Sequence, residues 1–448
     1  MRAVTLQEML DVREARAEAQ RELLAACGLP LISFTMNIPG PVKNSAPIRR
    51  AFDEGLRLLE EALTAAGLSC SARRVSHAVT GNEFLCAVNA PAAKIKAICT
   101  RIEDESPLGR LFDIDVIGLD GQKLARSEER CCLVCGAVGR GCASRRLHSL
   151  EELNAAVAAR LSAGLLDADA ERADKLVTRA LLDEVATTPK PGLVDRDNSG
   201  SHRDMTVETF EKSAAALRGY WRSCFLAGAE TAQLPPREAF LCLRALGLKA
   251  ETRMLDATGG VNTHKGVIFS LGTICGALGR LWQADERCTN TAVILQTAGA
   301  LCAEAIAADF AEMEQRRVAR TAGEQLYLAT GLKGIRGEAA AGFPSVIQTG
   351  LPVLEACLSE GMSRNDAGVV TLMHLIARGG DTNMIKRGGA ALAGEVVCGV
   401  RDCLRADSRP SAACVRAWDA LFIRRNLSPG GCADLLAVSY FLHDWTGA

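Results

Sequence analysis

Three groupings of side chains in this sequence could do chemistry. The stretch "GRLFDIDV" (109–116) sets Asp113 and Asp115 two apart, a spacing that on a β-strand sends both carboxylates to one face. Such a pair can hold a divalent ion beside a polyphosphate, as in metal-assisted nucleotidyl transfer, or it can be a solvated strand face. The flanking Phe, Ile and Val raise the cost of leaving the charges idle. Next, "CCLVCGAVGRGCASRRLH" (131–148) supplies Cys132, Cys135, Cys142 and His148, the ligand types of a tetrahedral Cys3His zinc site. Its C-x5-H second half and the abundance of cysteine elsewhere leave reduced packing thiols as the other reading. Arg140, Arg145 and Arg146 beside it could contact phosphate or an acidic protein.

The third grouping is a set of Gly-containing polar loops. "NIPGPVKNSAPIRR" (37–50) carries Lys43 and Asn44, with Arg49 and Arg50 in the first turns of the helix that follows. Cations there oppose the helix dipole, which implies an anionic partner or a solvated loop. Glu83 in "TGNEF" offers a further carboxylate. Later come "TTPKPGLVDRDNSGSHRDM" (187–205), "ATGGVNTHKG" (257–266), "LKGIRGEAAAGFP" (332–344), "ARGGDTNMIKRGG" (377–389) and "NLSPGGCADLL" (426–436). Each combines Gly with charged or amide residues beside a helix, which suits backbone N–H groups and cations converging on phosphate.

The elements that must position these groups divide the chain. Residues 5–27 read as a charged amphipathic helix, and "LISFTMNI", "SARRVSHAVT", "EFLCAVNA" and "RLFDIDVIGL" read as strands. Periodic helices over "IRRAFDEGLRLLEEALTAAG" and "PAAKIKAICTRIEDE" alternate with them. From Ser149 the pattern is helical, with a Ser149 to Glu152 capping box, a stop at Gly164 and a new helix from 167. The expected fold is therefore two domains, an N-terminal α+β domain over 1–164 and a C-terminal all-α domain over 165–448 with Gly-rich ligand-binding loops. At 448 residues the chain exceeds what one core usually supports.

Composition narrows the function classes. Lys+Arg 52 against Asp+Glu 53 leaves a net charge of -1, and aromatics are 4%, so neither a nucleic-acid groove nor an anionic membrane surface is expected. The N-terminus has no apolar signal core, and apolar runs such as "GVIFSLGTICGALG" (266–279) fall short of the ~18 residues a membrane span needs. A cytoplasmic protein with reduced thiols is expected. The glycines of that run, Gly266, Gly272, Gly276 and Gly279, read as helix-packing positions rather than ligand contacts. No P-loop and no strand-borne G-x-G-x-x-G occurs.

Over roughly 1–155, "NIPGPVKN", "TGNEF", "GRLFDIDVIGLDG" and the cysteine tail resemble the apo-citrate lyase phosphoribosyl-dephospho-CoA transferases, or holo-citrate lyase synthases. Over roughly 170–445, the five loop motifs, in order, resemble the triphosphoribosyl-dephospho-CoA synthases. The second resemblance implies joining the ribose C1 of ATP to the 2'-hydroxyl of 3'-dephospho-CoA with loss of adenine. The first implies transfer of the phosphoribosyl-dephospho-CoA group to a serine of the citrate lyase acyl carrier (gamma) subunit with loss of pyrophosphate. The resemblance makes Asp113 and Asp115 Mg²⁺ ligands and Arg110 a triphosphate contact; Lys43, Arg49 and Glu83 are assigned to that site by inference from their residue types.

Glycosyl transfer from ATP requires cations and a metal for the triphosphate, a donor for adenine and a carboxylate for the ribose or the hydroxyl. Lys190, Arg196, His202, Arg203, Lys265, Arg336 and Arg387 are the candidate phosphate contacts, with Asn262 and Asn383 as further substrate-binding residues. Glu184, Asp195, Asp204, Glu338 and Asp381 are candidate metal ligands, catalytic carboxylates or substrate contacts, and His264 is a candidate acid or a structural hydrogen-bonding residue. Two other readings stand beside this one: the same chemistry serving malonate decarboxylase, and a zinc-containing interaction protein.

Overall fold

The computed structural model describes residues 2–138 and 141–447 and divides into two compact units, one of residues 1–169 with 283–287, the other of residues 170–282 with 288–448. The first unit contains α1 (Leu6–Cys27), β1 (Leu31–Met36), α2 (Ala46–Ala65), β2 (Cys70–Ala78), β3 (Gly81–Val88), α3 (Ala92–Glu105), β4 (Phe112–Ile117), α4 (Gly141–Arg145) and the start of α5 (Leu150–Ala186). Helix α1 starts at a capping box in which Thr5 and Glu8 bond each other's backbone N–H, and ends at Gly28 in the left-handed region. The four strands form an antiparallel sheet in the order β2-β3-β1-β4.

Strand periodicity gives that sheet two unlike faces. Phe34 stacks on Phe52 of α2 at 4.7 Å and meets Phe112 edge-on at 5.3 Å, forming a buried aromatic core. Gly55 lets α2 approach: a Cβ there would lie 2.6 Å from Phe34 and 2.9 Å from Phe112. On the opposite face Leu31, Leu85, Ala87 and Ile117 pack on Leu23 of α1. Farther along that face stand Ser33, Thr35, Glu83, Asp113 and Asp115.

The second unit is helical, as expected of the C-terminal part: α6 (Val207–Ala216), α7 (Tyr220–Glu230), α8 (Pro236–Thr258), α9 (Lys265–Arg280), α10 (Thr291–Arg316), α11 (Ala322–Thr330), α12 (Gly334–Ala340), α13 (Leu351–Ser359), α14 (Arg364–Arg378), α15 (Thr382–Ala406), α16 (Ala412–Arg424) and α17 (Gly430–Thr446). Close packing of α7 on α9 depends on glycine, because a Cβ at Gly228 would strike the Gly276 carbonyl and one at Gly279 would strike that of Phe225.

Two local expectations are corrected. The capping box at Ser149 is present, but α5 runs through Gly164 without stopping. Gly164 makes room for Leu108, whose Cγ would lie 2.6 Å from a Cβ at that position, so the glycine answers a packing demand and not a helix end. Helix α10, at 26 residues with a mean hydropathy of 1.5 in its most apolar window, is long and apolar enough to cross a membrane by length and composition, contrary to the reading of short runs. Its apolar positions Ile294, Leu295, Ala298, Leu301, Cys302 and Ala305 are buried within the helical unit.

Candidate active sites

In the helical unit the five polar loops converge on one cleft of about 830 Å³. Glu184, Lys190, His202 and Asp204 line it from the first loop and the helix before it, followed by Asn262, His264 and Lys265, then Arg336, then Asn383 and Arg387. The fifth loop adds Ser428, Gly430, Gly431 and Asp434. Lys333 and Lys386, which residue type alone did not single out, also line it.

Each polar group in the cleft has a particular state. Lys190 is 1% exposed, and its ammonium donates to the Glu184 carboxylate at 2.5 Å and to the Glu184 carbonyl at 2.7 Å. The ammonium, expected from the sequence to contact phosphate, is held in a buried ion pair in this structure. His202 Nδ1 faces Arg387 Nη2 at 3.2 Å, and because a guanidinium only donates, Nδ1 accepts and Nε2 donates to Ser428 Oγ at 2.8 Å. Burial and the Arg387 charge hold His202 below the usual imidazole range.

His264 is 3% exposed and precedes α9. Thr263 Oγ1 donates to Ser213 Oγ at 2.7 Å, and Ser213 Oγ lies 2.6 Å from His264 Nδ1. When Ser213 gives its proton to Nδ1, the imidazole hydrogen sits on Nε2. That Nε2 is buried, has no hydrogen-bond partner among the described residues, and belongs to a residue that lines the cleft. Burial, then the charge of Lys190, lowers the His264 pKa to about 3, so the ring is a neutral donor at physiological pH.

Asp434 is a carboxylate of the cleft lining that the sequence reading also did not single out. Burial first, then the negative charges of Glu184 and Asp381, raise its pKa well above the carboxylate range. Gly266, read from the sequence as a packing glycine, leaves the space this carboxylate occupies; a Cβ there would strike Asp434 Oδ2. The signal available was one acidic residue a turn into the apolar helix "GGCADLLAVSYFL", where charge is costly.

Several expected site residues lie elsewhere. Asp195 Oδ1 accepts from the N–H groups of Asp197 and Asn198 while Oδ2 accepts from Lys190 N at 2.8 Å, so this carboxylate shapes the loop. Asp381 caps α15 through Asn383 N and Met384 N and ties Cys432 N at 3.0 Å. Glu338 accepts from Ser345 N at 2.6 Å. Arg196 and Arg203 are exposed and do not line the cleft.

In the first unit the polar half of the sheet face forms a second candidate site. Glu83 and Asp113 both pair with Thr35, and Asp115 pairs with Ser33, so three carboxylates and two hydroxyls occupy adjacent rows. Asp113 is exposed with Thr35 Oγ1 at 3.4 Å, while Asp115 binds Lys123 at 2.5 Å and Glu83 binds Arg16 at 2.7 Å. Lys43 Nζ donates to the Ile38 carbonyl at 2.5 Å; burial, then Arg13, pulls its pKa down. Asn44 ties the loop to Ala78 and Asn82. Arg49 is exposed at the start of α2, whereas Arg50 finds its anion within the protein, in buried Asp169 at 2.6 Å. Arg110 donates to the Cys131 carbonyl at 2.7 Å.

The ligand atoms of Cys132, Cys135, Cys142 and His148 all lie within 4.8 Å of one another. Gly136 at φ 72° closes the turn after Cys135, and His148 Nε2 is buried without a partner among the described residues. Arg145 and Arg146 are exposed beside the group, and Arg140 lies outside the described residues.

Comparison with known proteins follows this division. The family described as apo-citrate lyase phosphoribosyl-dephospho-CoA transferase matches residues 4–163, and that described as ATP:dephospho-CoA triphosphoribosyl transferase matches residues 170–447. Protein CitXG of Haemophilus influenzae is 33% identical over 99% of this chain and 97% of its own length. A probable 2-(5''-triphosphoribosyl)-3'-dephosphocoenzyme-A synthase of Citrobacter koseri is 44% identical over 60% of this chain and 88% of its own. The synthase of that name from Pectobacterium atrosepticum is 42% identical over 61% and 88%.

Proposed function

We infer the work of the two sites from one premise: this chain belongs to the ATP:dephospho-CoA triphosphoribosyl transferase family through its C-terminal part and to the apo-citrate lyase phosphoribosyl-dephospho-CoA transferase family through its N-terminal part. It is a bifunctional transferase of citrate lyase prosthetic-group biosynthesis. We assign the synthase reaction to residues 165–448 and the attachment reaction to residues 1–164. The observation that carries the first assignment is the convergence of all five loops on one cleft holding a half-buried carboxylate of raised pKa and a neutral imidazole.

In the synthase reaction the acceptor 2'-oxygen bonds to C1 of the ATP ribose, and the C1–N9 pair leaves with adenine. Asp434, whose surroundings raise its proton affinity, takes the hydroxyl proton. His264 Nε2–H donates a hydrogen bond to the departing base, on which negative charge develops. Lys265, Lys333, Arg336, Lys386 and Arg387 bind phosphate, and the Glu184–Lys190 pair fixes the charge beside Asp434. Asp204 is the carboxylate of the first loop left to hold Mg²⁺ with the triphosphate.

In the attachment reaction Asp113 and Asp115 would hold Mg²⁺, and the all-oxygen donor set of their sheet face suits that hard cation. When bound, the ion neutralises charge as pyrophosphate leaves. Lys43, Arg49 and Arg110 stand as the nearby cations, Glu83 as an adjoining carboxylate, and a serine of the citrate lyase acyl carrier subunit is the acceptor. The 18 cysteines are free thiols, which suits the reducing cytoplasm proposed here.

Purified protein given ATP, Mg²⁺ and dephospho-CoA should release adenine, and with apo acyl carrier subunit added it should release pyrophosphate. No adenine release would overturn the synthase assignment.

Cys132, Cys135, Cys142 and His148 would hold a structural Zn²⁺, as their clustered donors and the unpartnered His148 Nε2 support. Backbone hydrogen bonds from Cys135 and Val134 hold the Cys132 thiol down to about 6, favouring the thiolate a metal requires. Elemental analysis of the intact protein should find about one zinc per chain and close to none in Cys135→Ser. Equal metal content in the two proteins would remove the site.

A further inference from the structure

The helical unit has a second cavity, of about 310 Å³, among α8, α9 and α10. Its floor is apolar, formed by Leu243, Ile268, Phe269 and Ile306. It exists because small residues stand where helices would otherwise fill the space: Gly247 on α8 and Gly272 on α9 face Tyr220, whose hydroxyl donates to the Ile268 carbonyl at 2.9 Å. Phe269, Met313 and Arg336 line both this cavity and the main cleft.

Its charges do not select an anion. Arginines and carboxylates in the lining are four each. Arg244 bonds both oxygens of Asp309, at 3.2 and 2.7 Å, and Arg316 holds Glu324 at 2.9 Å. A phosphate that bound Arg244 or Arg316 would have to displace a carboxylate from the guanidinium. A neutral chain with amide groups meets no such cost: its apolar carbons can lie on the floor and its amides can bond the rim.

The chemistry of the reaction supplies the reason for such a cavity. ATP itself carries an adenosine 2'-hydroxyl, so as an acceptor it presents the same nucleophile as dephospho-CoA. The two acceptors differ only beyond the β-phosphate, where ATP carries a third, charged phosphate and dephospho-CoA a neutral pantetheine arm. An enzyme that saw only the nucleotide would join ATP to ATP. We propose that the cavity among α8, α9 and α10 binds the pantetheine arm of dephospho-CoA and thereby selects the acceptor. This rests on the synthase reading of the adjoining cleft.

The test is a binding measurement, independent of turnover. Titration calorimetry of the full chain compares dephospho-CoA with ADP, which is the same nucleotide without the arm. Dephospho-CoA should bind at least about tenfold more tightly. Gly247→Leu, which fills the cavity from α8, and Leu248→Trp, which crowds its mouth from a position 60% exposed, should each bring the ratio close to one. The exposed site keeps the test valid if Gly247→Leu does not fold. Equal affinities in the unmodified protein, or a preference that survives Leu248→Trp, would overturn the proposal. So would a variant that loses affinity for ATP instead, since the cavity would then house the donor. Failure of adenine release would instead remove the synthase reading, whatever the binding ratio.

Discussion

Asp434→Asn lowers the rate of adenine release by about 10²- to 10⁴-fold, the range expected when a positioned general base is lost. The substitution keeps the shape of the side chain and removes its ability to take the acceptor proton. Its pH dependence is equally specific. The base works only when ionised, and burial together with Glu184 and Asp381 raises its pKa, so kcat should rise with pH through a limb above the usual carboxylate range. That limb should vanish in Asp434→Asn.

Stability separates this loss from unfolding. The folded protein binds the Asp434 proton more tightly than the unfolded chain does, so the fold carries no penalty below the unfolded carboxylate pKa. The penalty appears as pH rises past that value and grows up to the raised folded pKa. At neutral pH the Asn variant should therefore melt no lower than the parent protein. A variant with parental kcat would end the assignment of Asp434 as base. His264 gives a contrasting control: its neutral ring contributes no limb near neutrality, and His264→Gln, which keeps an N–H donor, should retain more activity than His264→Ala.

The fold and the segments that meet in the cleft were legible because both are periodic or local signals. Alternation along "FDIDVI" placed Asp113 and Asp115 on one face, and the sheet has them so, with Phe34 and Ile114 on the other. Loop composition likewise identified the segments that meet in the cleft. What each acid in those loops does was not legible, because it depends on where the backbone N–H groups turn. Asp195 and Asp381 have the residue type of a metal ligand and also that of a cap, and here nearby N–H groups claim them. The partner of Lys190 was not legible for a related reason, since Glu184, six positions earlier on α5, reaches it only once the helix ends. Asp434 went unnoticed because its electrostatic neighbours include Glu184, far away in sequence.

Asp113→Asn tests the other half of the enzyme. Removing one carboxylate from the Asp113 and Asp115 pair should reduce pyrophosphate release on the apo acyl carrier subunit by about 10²- to 10³-fold, the usual cost of losing one group that stabilises transferred charge. Asp113 is exposed and, among the described residues, its side chain is held by Thr35 Oγ1 at 3.4 Å, so the substitution removes little packing. Asp115→Asn is less clean, because it also releases the ammonium of Lys123 from its 2.5 Å ion pair. The informative comparison is within one preparation of Asp113→Asn: adenine release from ATP and dephospho-CoA should stay within about twofold of the parent, since no residue of the synthase cleft belongs to the sheet that carries Asp113. Parallel loss of both products would mean that the two reactions share catalytic groups. Retention of both would free the sheet carboxylates from any catalytic role and return them to the solvated strand face that their spacing alone also allowed.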